Sequence, residues 1–229
     1  MLKVWRISHG NQTALLRQRL NLGHFAAVLE TETKPGLKWG QAKKDVRAEG
    51  VELGFVIVGI DPGSQFTGFG AVQVDRDAKS RGPLIAHVEH RVFEAKTSWD
   101  FSSRLAFMHE KLCEALCRVR PKAVAIERIF LGRNPDSAFK LGHVRGVCML
   151  AAQQSQADVF EYAARSVKKG VTGNGASSKD QVQLILFAAL GVRGTAQLDA
   201  SDALALAFYH ARNMEIEDNL RRGLAASPG

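Results

Sequence analysis

The distribution of apolar residues predicts a group of short strands that begins about fifty residues into the chain. Phe55–Ile60 is a continuous apolar run that ends at Asp61, which is typical of a buried strand. Thr67–Val74 is a second β-prone segment, and the short turn before it lets the chain fold back antiparallel. Leu84–Val92 alternates loosely between apolar and polar residues. We therefore expect three neighbouring strands at the start of a sheet.

The chain beyond these strands alternates helical and strand patterns. Apolar residues recur at helical spacing from Phe101 to Val119, and Pro121 ends that helix. Two more strands and three more helices are predicted after it. They are the strands Ala123–Ile126 and Val159–Tyr162, and the helices Ser137–Gln153, Lys179–Leu190 (preceded by a Ser178 and Gln181 capping box) and Asp199–Arg212. This order predicts an α/β fold, a mixed five-stranded sheet with helices on both faces.

The two ends of the chain lack the apolar periodicity of the middle. Residues 1–53 carry nine Lys or Arg and five Asp or Glu, and we expect a poorly ordered extension or a start codon assigned too far upstream. Residues 54–214 are the predicted folded domain, and residues 215–229 a flexible tail. No apolar run reaches the ~20 residues of a membrane helix, and no signal-peptide pattern is present. Together with an odd number of cysteines, three, this predicts a cytoplasmic protein.

The overall charge indicates an acidic partner. The 229 residues carry a formal net charge of +8, and the pI is near 9.6. An apolar fraction of 45% is enough for a proper core, so disorder does not explain the composition. A basic excess of this size favours nucleic acid as the partner, and a solvated basic surface without any partner is the alternative.

Four carboxylates lie where predicted elements begin or end. Asp61 follows the first strand and Glu127 the fourth, while Asp199 and Asp202 open the last helix on one face. Sites in open α/β sheets gather beyond the strand ends, so these acids can converge. Their oxygens suit Mg²⁺ or Mn²⁺, and two ions about 3.5–4 Å apart would activate water for phosphodiester hydrolysis. The alternative is local: a turn at Asp61, a helix cap at Asp199 and an ion pair at Glu127.

We predict a glycine-rich loop over Gly170–Ser178, with basic residues on both sides of it. Lysines and exposed backbone N–H groups there suit a phosphate backbone and give affinity without sequence readout, and a solvated loop is the alternative. An aromatic residue three positions after Glu127 could stack on an unpaired base, with burial under the sheet edge as its alternative. The DNA-binding candidates are Arg165, Lys168, Lys169, Lys179 and Phe130.

Five sequence blocks between about residues 55 and 213 resemble, in order and spacing, the RuvC family of Holliday junction resolvases. One block alone would be weak support, but the set is highly specific. The blocks are Gly59–Ser64 with Thr67, Gly68 and Gly70; Ala125–Phe130; Asp136–Gly142 with Arg145 and Gly146; Phe160–Arg165; and Asp199–Ala205.

The resemblance implies a ribonuclease-H-like fold, a homodimer and Mg²⁺-dependent paired nicking of a four-way DNA junction during recombination and repair. It implies that the four acids are catalytic and bind the metal, with two ions per site. It also implies DNA contacts by Lys168 and Lys179, a contact of Phe130 at the junction centre, and the RuvA and RuvB branch-migration proteins as partners. Residues 1–53 have no counterpart in the family pattern.

Other functions are compatible with parts of the sequence. Actin-like and sugar-kinase ATPases also open with a strand, an Asp, a glycine-rich turn and a strand, but they usually need two such halves and this chain shows one. A junction-binding protein without cleavage is expected to lack acids at the site, and all four are present. A nuclease with a different substrate is the third alternative.

Overall fold

Five strands and five helices account for the part of the chain that the structure describes. This computed structural model describes the backbone of residues 52–76, 84–128, 135–194 and 196–225, and the side chains of 54–75, 84–128, 136–194 and 196–214. The strands are β1 (Glu52–Asp61), β2 (Phe66–Arg76), β3 (Leu84–Glu94), β4 (Ala123–Arg128) and β5 (Asp158–Ala163), and the helices are α1 (Phe101–Val119), α2 (Pro135–Gln154), α3 (Ala164–Thr172), α4 (Lys179–Leu190) and α5 (Leu198–Ala225).

The strands form one mixed sheet in the order β3-β2-β1-β4-β5. The first three strands pair antiparallel with one another, and β4 and β5 run parallel to β1. Short turns can join the antiparallel strands, whereas each parallel strand is reached through a crossover that contains a helix. The predicted mixed sheet of five strands is confirmed.

Alternation of side chains along the central strands gives the sheet two separate cores. Val58 and Ile60 of β1 are buried on the face covered by α1 and α2. Ile57 of the same strand is buried on the opposite face with residues of α3, α4 and α5. The prediction of helices on both faces is therefore correct. Within the described ranges, no helix has both the length and the apolar character needed to cross a membrane.

The structure differs from the prediction in one helix and in two domain boundaries. Helix α3 was not predicted, because its nine residues are too short to show a clear apolar period. β1 begins at Glu52, which still pairs with Arg76 of β2, so the predicted domain start at residue 54 falls inside a strand. The last helix continues to Ala225 instead of ending at Arg212, so most of the segment predicted as a flexible tail, 215–229, is helical. The prediction relied on apolar periodicity, whereas Glu, Leu and Arg in this segment have a high intrinsic helix propensity that needs no apolar period. The extension 1–51 and Phe130 lie outside the described residues.

Candidate active site

Asp61 and Glu127 lie side by side at the ends of two adjacent parallel strands. Ile60 of β1 pairs with Ile126 of β4, so the next residue of each strand falls at the same level of the sheet. Successive side chains of a strand point to opposite faces, so Glu127 points to the same face as Ala125, two residues earlier. Ala125 belongs to the core that lies under α5. The carboxyl groups of Asp61 and Glu127 share a hydrogen bond. The two strand-end acids predicted to converge do so.

The first turn of α5 brings two further acids to Asp61. Asp199 and Asp202 lie three residues apart on α5, and one carboxylate oxygen from each lies within 4.8 Å of an oxygen of Asp61 and of the other. Glu127 is outside this group of three and joins it through its hydrogen bond with Asp61. We call the four residues the acid cluster. Since α5 begins at Leu198, Asp199 lies inside the first turn and is not the N-cap that the local alternative assumed.

Glycines in β1 and β2 allow α5 to approach the sheet closely enough to complete the acid cluster. A Cβ atom on Gly59 would lie 1.9 Å from the carbonyl oxygen of Ala203, and one on Gly68 would lie 2.0 Å from that of Asp199. No real side chain tolerates such contacts, so any larger residue would push α5 outwards. These glycines appeared in the sequence blocks, but their role depends on a helix about 140 residues away and had no local signal.

The environment of Asp61 favours its protonated form. Burial raises the pKa of Asp61 to about 9 from an ordinary value of 3.8, and the hydrogen bond with Glu127 and the charges of Glu127 and Asp202 act in the same direction. The positive charge of Lys179 opposes them. Without a bound cation, Asp61 is therefore protonated at neutral pH and can donate its proton to Glu127.

Lys179 is paired with the acid cluster. Its ammonium forms an ion pair with the carboxylate of Asp202. Burial alone would lower the pKa of Lys179, but the hydrogen bond and charge of Asp202, with the charges of Asp61 and Asp199, raise it above its ordinary value. Lys179 is the first residue of α4, directly after Ser178, and the predicted capping box of Ser178 with Gln181 is confirmed. The sequence predicted this lysine as a DNA contact and gave no indication of the pairing.

The donor set of the acid cluster fits a divalent cation. Carboxylate oxygens are hard ligands, and Mg²⁺ binds in proteins through one or two carboxylates while keeping waters and taking oxygens from phosphate. Asp61, Asp199 and Asp202 are each partly exposed and close enough to share one ion. Within the residues described, they are the one group of three or more acids, histidines or cysteines with this spacing.

The basic residues of α3 face outward beside the glycine-rich loop. Val167 and Val171 bury one side of α3, and Arg165 and Lys169 are exposed on the other while Lys168 is half-buried. The structure thus leaves these candidates accessible to a ligand.

The loop between α3 and α4 is held by its own hydrogen bonds. The Thr172 hydroxyl lies 2.8 Å from the carbonyl oxygen of Lys168 and 2.9 Å from the Ser177 hydroxyl. The Asn174 side chain accepts a hydrogen bond of 3.0 Å from the backbone N–H of Ala176. These contacts fix the path from the basic face of α3 to Lys179. The segment predicted as a loop over Gly170–Ser178 is helical up to Thr172.

Two interactions of β5, the strand next to Glu127, had no signal in the sequence. Arg145 of α2 forms an ion pair with Glu161 of β5, one residue before the position that pairs with Glu127. Tyr162, which does pair with Glu127, has its hydroxyl 2.7 Å from Nδ1 of buried His210, and burial lowers the pKa of that histidine to about 4. Both contacts join residues on separate elements, which periodicity along one element cannot reveal.

Comparison with known proteins agrees with this geometry. The family pattern described as "Crossover junction endodeoxyribonuclease RuvC" matches residues 57–210. A protein of that name from Bdellovibrio bacteriovorus is 45% identical over 173 residues, which cover 76% of this chain and 99% of the relative. A Legionella pneumophila relative of the same name is 39% identical over 170 residues, covering 74% and 90%. The structure of Thermus thermophilus RuvC in complex with Holliday junction substrate aligns with a TM-score of 0.64 at 29% identity, covering 71% of this chain and 96% of that one.

The mixed sheet with acids at its strand ends defines a protein of the ribonuclease-H-like class, as predicted. Within that class, the chain belongs to the RuvC family of crossover junction endodeoxyribonucleases. The family identified from the five sequence blocks is therefore confirmed. The comparisons do not favour the ATPase or the non-cleaving binding protein.

Proposed function

We propose that this protein resolves four-way DNA junctions by hydrolysing phosphodiester bonds with Mg²⁺ held by Asp61, Glu127, Asp199 and Asp202. The observation that carries the proposal is the acid cluster, in which three carboxylates lie within 4.8 Å of one another and Glu127 bonds to Asp61. When bound there, divalent ions supply an activated water and stabilise the leaving oxygen of the phosphodiester. Mn²⁺ is an expected substitute, because it accepts the same oxygen ligands.

In this proposal the protein's own residues position the DNA. The outward face of α3 with Arg165, Lys168 and Lys169 offers positive charge to the phosphate backbone, and backbone contacts of this kind set register without reading sequence. Phe130 is proposed to stack on an unpaired base at the centre of the junction. The four-way junction itself is proposed as substrate because the T. thermophilus relative was solved with a Holliday junction.

Paired nicking requires two active sites, and we propose that α2 forms the two-fold contact between two copies of this chain. Phe139 and Leu150 of α2 are 70% and 53% exposed, although both are large and apolar. On the same helix, a Cβ on Gly142 or Gly146 would have no atom within 4 Å, so a partner helix could approach closely. Gly146→Trp should convert a dimer into a monomer in analytical ultracentrifugation. A monomeric wild-type mass at micromolar concentration, with and without DNA, would contradict this arrangement.

Two further proposals concern the surroundings of the enzyme. RuvA and RuvB are proposed partners, because a resolvase of this family acts on junctions that a branch-migration motor moves. A cytoplasmic location is proposed because the substrate is DNA and the three cysteines are free thiols.

The test is incubation of the full chain with a synthetic four-way junction and with a linear duplex of the same arms, in Mg²⁺ and in EDTA. We expect paired nicks in the junction that require Mg²⁺ and little cutting of the duplex. Asp61→Asn should abolish cleavage but retain junction binding in a gel shift, because metal and phosphate are held by different residues. Asp158→Asn is the matched control, since it makes the same change at an exposed acid. Asp158 begins β5, at the end of the strand that lies away from Glu127.

Other outcomes of the same experiment would support the alternatives. Junction binding without metal-dependent nicks would support a non-cleaving binding protein. Hydrolysis of ATP by the purified chain, with no nicking of any DNA, would support an ATPase. Cutting that is equal in junction and duplex would indicate a nuclease with a different substrate.

A further inference from the structure

The ion pair between Lys179 and Asp202 places a protein cation inside the acid cluster. Lys179 extends from the first turn of α4, and its side chain is 47% exposed while that of Asp202 is 19% exposed. In the described part of the chain, no other Lys or Arg forms an ion pair with any of the four acids. One ammonium therefore provides the local counter-charge for a group of carboxylates.

A lysine ammonium and a divalent cation cannot use the same carboxylate oxygen at full strength. Mg²⁺ requires its oxygen ligands at about 2.0–2.1 Å in near-octahedral geometry, and it repels a positive charge held a few ångströms away. Asp202 is one of the three acids that could share an ion, and it is also the acid that Lys179 occupies. Metal binding and the Lys179 ion pair are thus in direct competition.

The local structure allows Lys179 to leave without disturbing α4. The Ser178 and Gln181 capping box holds the start of the helix through backbone N–H groups and does not involve the Lys179 side chain. The four-carbon stem is half exposed, so that the ammonium can swing outwards by rotation about its own bonds. Lys179 directly follows the glycine-rich loop, and Arg165 of α3 packs against that loop at Gly175. This is the basic surface proposed for the phosphate backbone.

We infer that Lys179 is the resident cation of the acid cluster, and that it exchanges Asp202 for a DNA phosphate when a divalent cation binds. The inference rests on the metal site of the proposed function and adds a coupling between metal and DNA. A metal ion that binds Asp202 frees the Lys179 ammonium for a phosphate. A phosphate that binds the ammonium frees Asp202 for a metal ion. Because coupling free energies are reciprocal, each ligand then raises the affinity for the other by the same factor.

Two simpler roles for Lys179 predict different behaviour. A lysine that only holds the acid cluster together would leave the metal site looser when removed, and metal affinity would fall. A lysine that only contacts DNA would leave metal affinity in the absence of DNA unchanged. Displacement is the one role of the three for which removing the charge strengthens metal binding.

The experiment measures Mn²⁺ binding to the full-length protein without DNA, by electron paramagnetic resonance of free Mn²⁺. The test variant is Lys179→Met, which removes the charge and keeps the stem. We expect Mn²⁺ affinity to rise about 2- to 5-fold, the upper part of the range for an exposed ion pair. The matched control is Lys122→Met, which makes the same change just before β4, about 16 Å along the strand direction from Glu127, and its Mn²⁺ affinity should equal that of wild type. Lys179→Gln repeats the comparison if the Met variant does not fold.

A second measurement tests the coupling itself. Junction binding is compared by gel shift at low temperature with and without Ca²⁺, for wild type and Lys179→Met. The wild type should bind the junction more tightly when Ca²⁺ is added. Lys179→Met should bind the junction more weakly than wild type in both conditions, and Ca²⁺ should not increase its affinity. Equal gains in both proteins would refute the exchange, as would unchanged or weaker Mn²⁺ binding by Lys179→Met.

Failure of this inference can be distinguished from failure of the proposed function. If the wild type binds Mn²⁺ and Asp61→Asn does not, the metal site stands, and an unaltered Lys179→Met affinity rejects the exchange alone. If neither wild type nor Asp61→Asn binds Mn²⁺, the metal site and the inference fail together.

Discussion

The protonation of Asp61 gives the metal-free protein a stability that depends on pH. In an unfolded chain this carboxyl ionises with its ordinary pKa of 3.8, whereas in the folded protein burial and the neighbouring acids raise the pKa to about 9. The folded state therefore binds the extra proton between these values, so its stability falls as the pH rises from about 4 towards 9. Each pH unit in that window costs about 1.4 kcal/mol, and the cost at pH 7 reaches about 4 kcal/mol.

Asp61→Asn removes this cost with little change in shape. The amide can still donate a hydrogen bond to Glu127, and it releases no proton in the unfolded chain. We expect the metal-free variant to be more stable than wild type by about 2 to 4 kcal/mol at pH 7, a rise in melting temperature of about 5 to 15 °C. The difference should shrink to nothing near pH 4 and grow with pH up to about 9.

The assay is thermal melting of both proteins in EDTA across pH 4.5 to 8.5, followed by the same series in Mg²⁺. Added Mg²⁺ should stabilise the wild type, by about 2.7 kcal/mol at a concentration one hundred times its Kd, and should do little for Asp61→Asn. Metal binding at pH 7 should also release about one proton, measurable by calorimetry in buffers of different ionisation enthalpy. A constant difference between the two melting curves at every pH, or a variant that melts below wild type throughout, would refute the reasoning.

Three further predictions follow from the glycine contacts and the proposed DNA surface. Gly59→Ala should lower the free energy of unfolding by about 1–3 kcal/mol in thermal melts and weaken Mn²⁺ binding, because a Cβ there would lie 1.9 Å from the Ala203 oxygen. A variant with the stability and the metal affinity of wild type would argue against the close approach of α5. Lys168→Ala should reduce the log–log salt slope of junction binding by about one, and an unchanged slope removes this lysine from the phosphate contacts. Phe130→Ala should lower cleavage of the junction by the equivalent of about 1–3 kcal/mol per stacked base with unchanged melting; a stability loss of several kcal/mol would instead identify a core residue.

Much of the fold was predictable because its signals are local. A strand that is buried on both faces is apolar along its length. The apolar runs Phe55–Ile60 and Ala123–Ile126 therefore predicted β1 and β4 without knowledge of the strands that pair with them. The Ser178 and Gln181 capping box is a contact between residues three apart, and the structure reproduces it. The tail was predicted less well, because a charged helix such as the end of α5 carries no apolar period.

The acid cluster was predictable in its membership and not in its chemistry. Asp61 and Glu127 stood out because each follows a buried strand, and parallel strands bring such positions to one edge. The protonation of Asp61 depends on the tertiary structure: burial raises its pKa, and the neighbouring Glu127 and Asp202 raise it further. No residue adjacent to Asp61 in the chain contains that information.

All five strands, four of the five helices and the acids at their ends could be predicted from the sequence, because those properties depend on contacts within a few residues. Helix α3 and the last turns of α5 could not, because one is short and the other carries no apolar period. Only the folded structure reveals that Gly59 and Gly68 lie under α5, that Lys179 pairs with Asp202, and that Arg145 pairs with Glu161. These contacts join segments between 16 and about 140 residues apart in the chain. The distance between the two residues of each contact depends on how the helices pack on the sheet. That packing results from the complete fold and cannot be read from the residues near either contact partner.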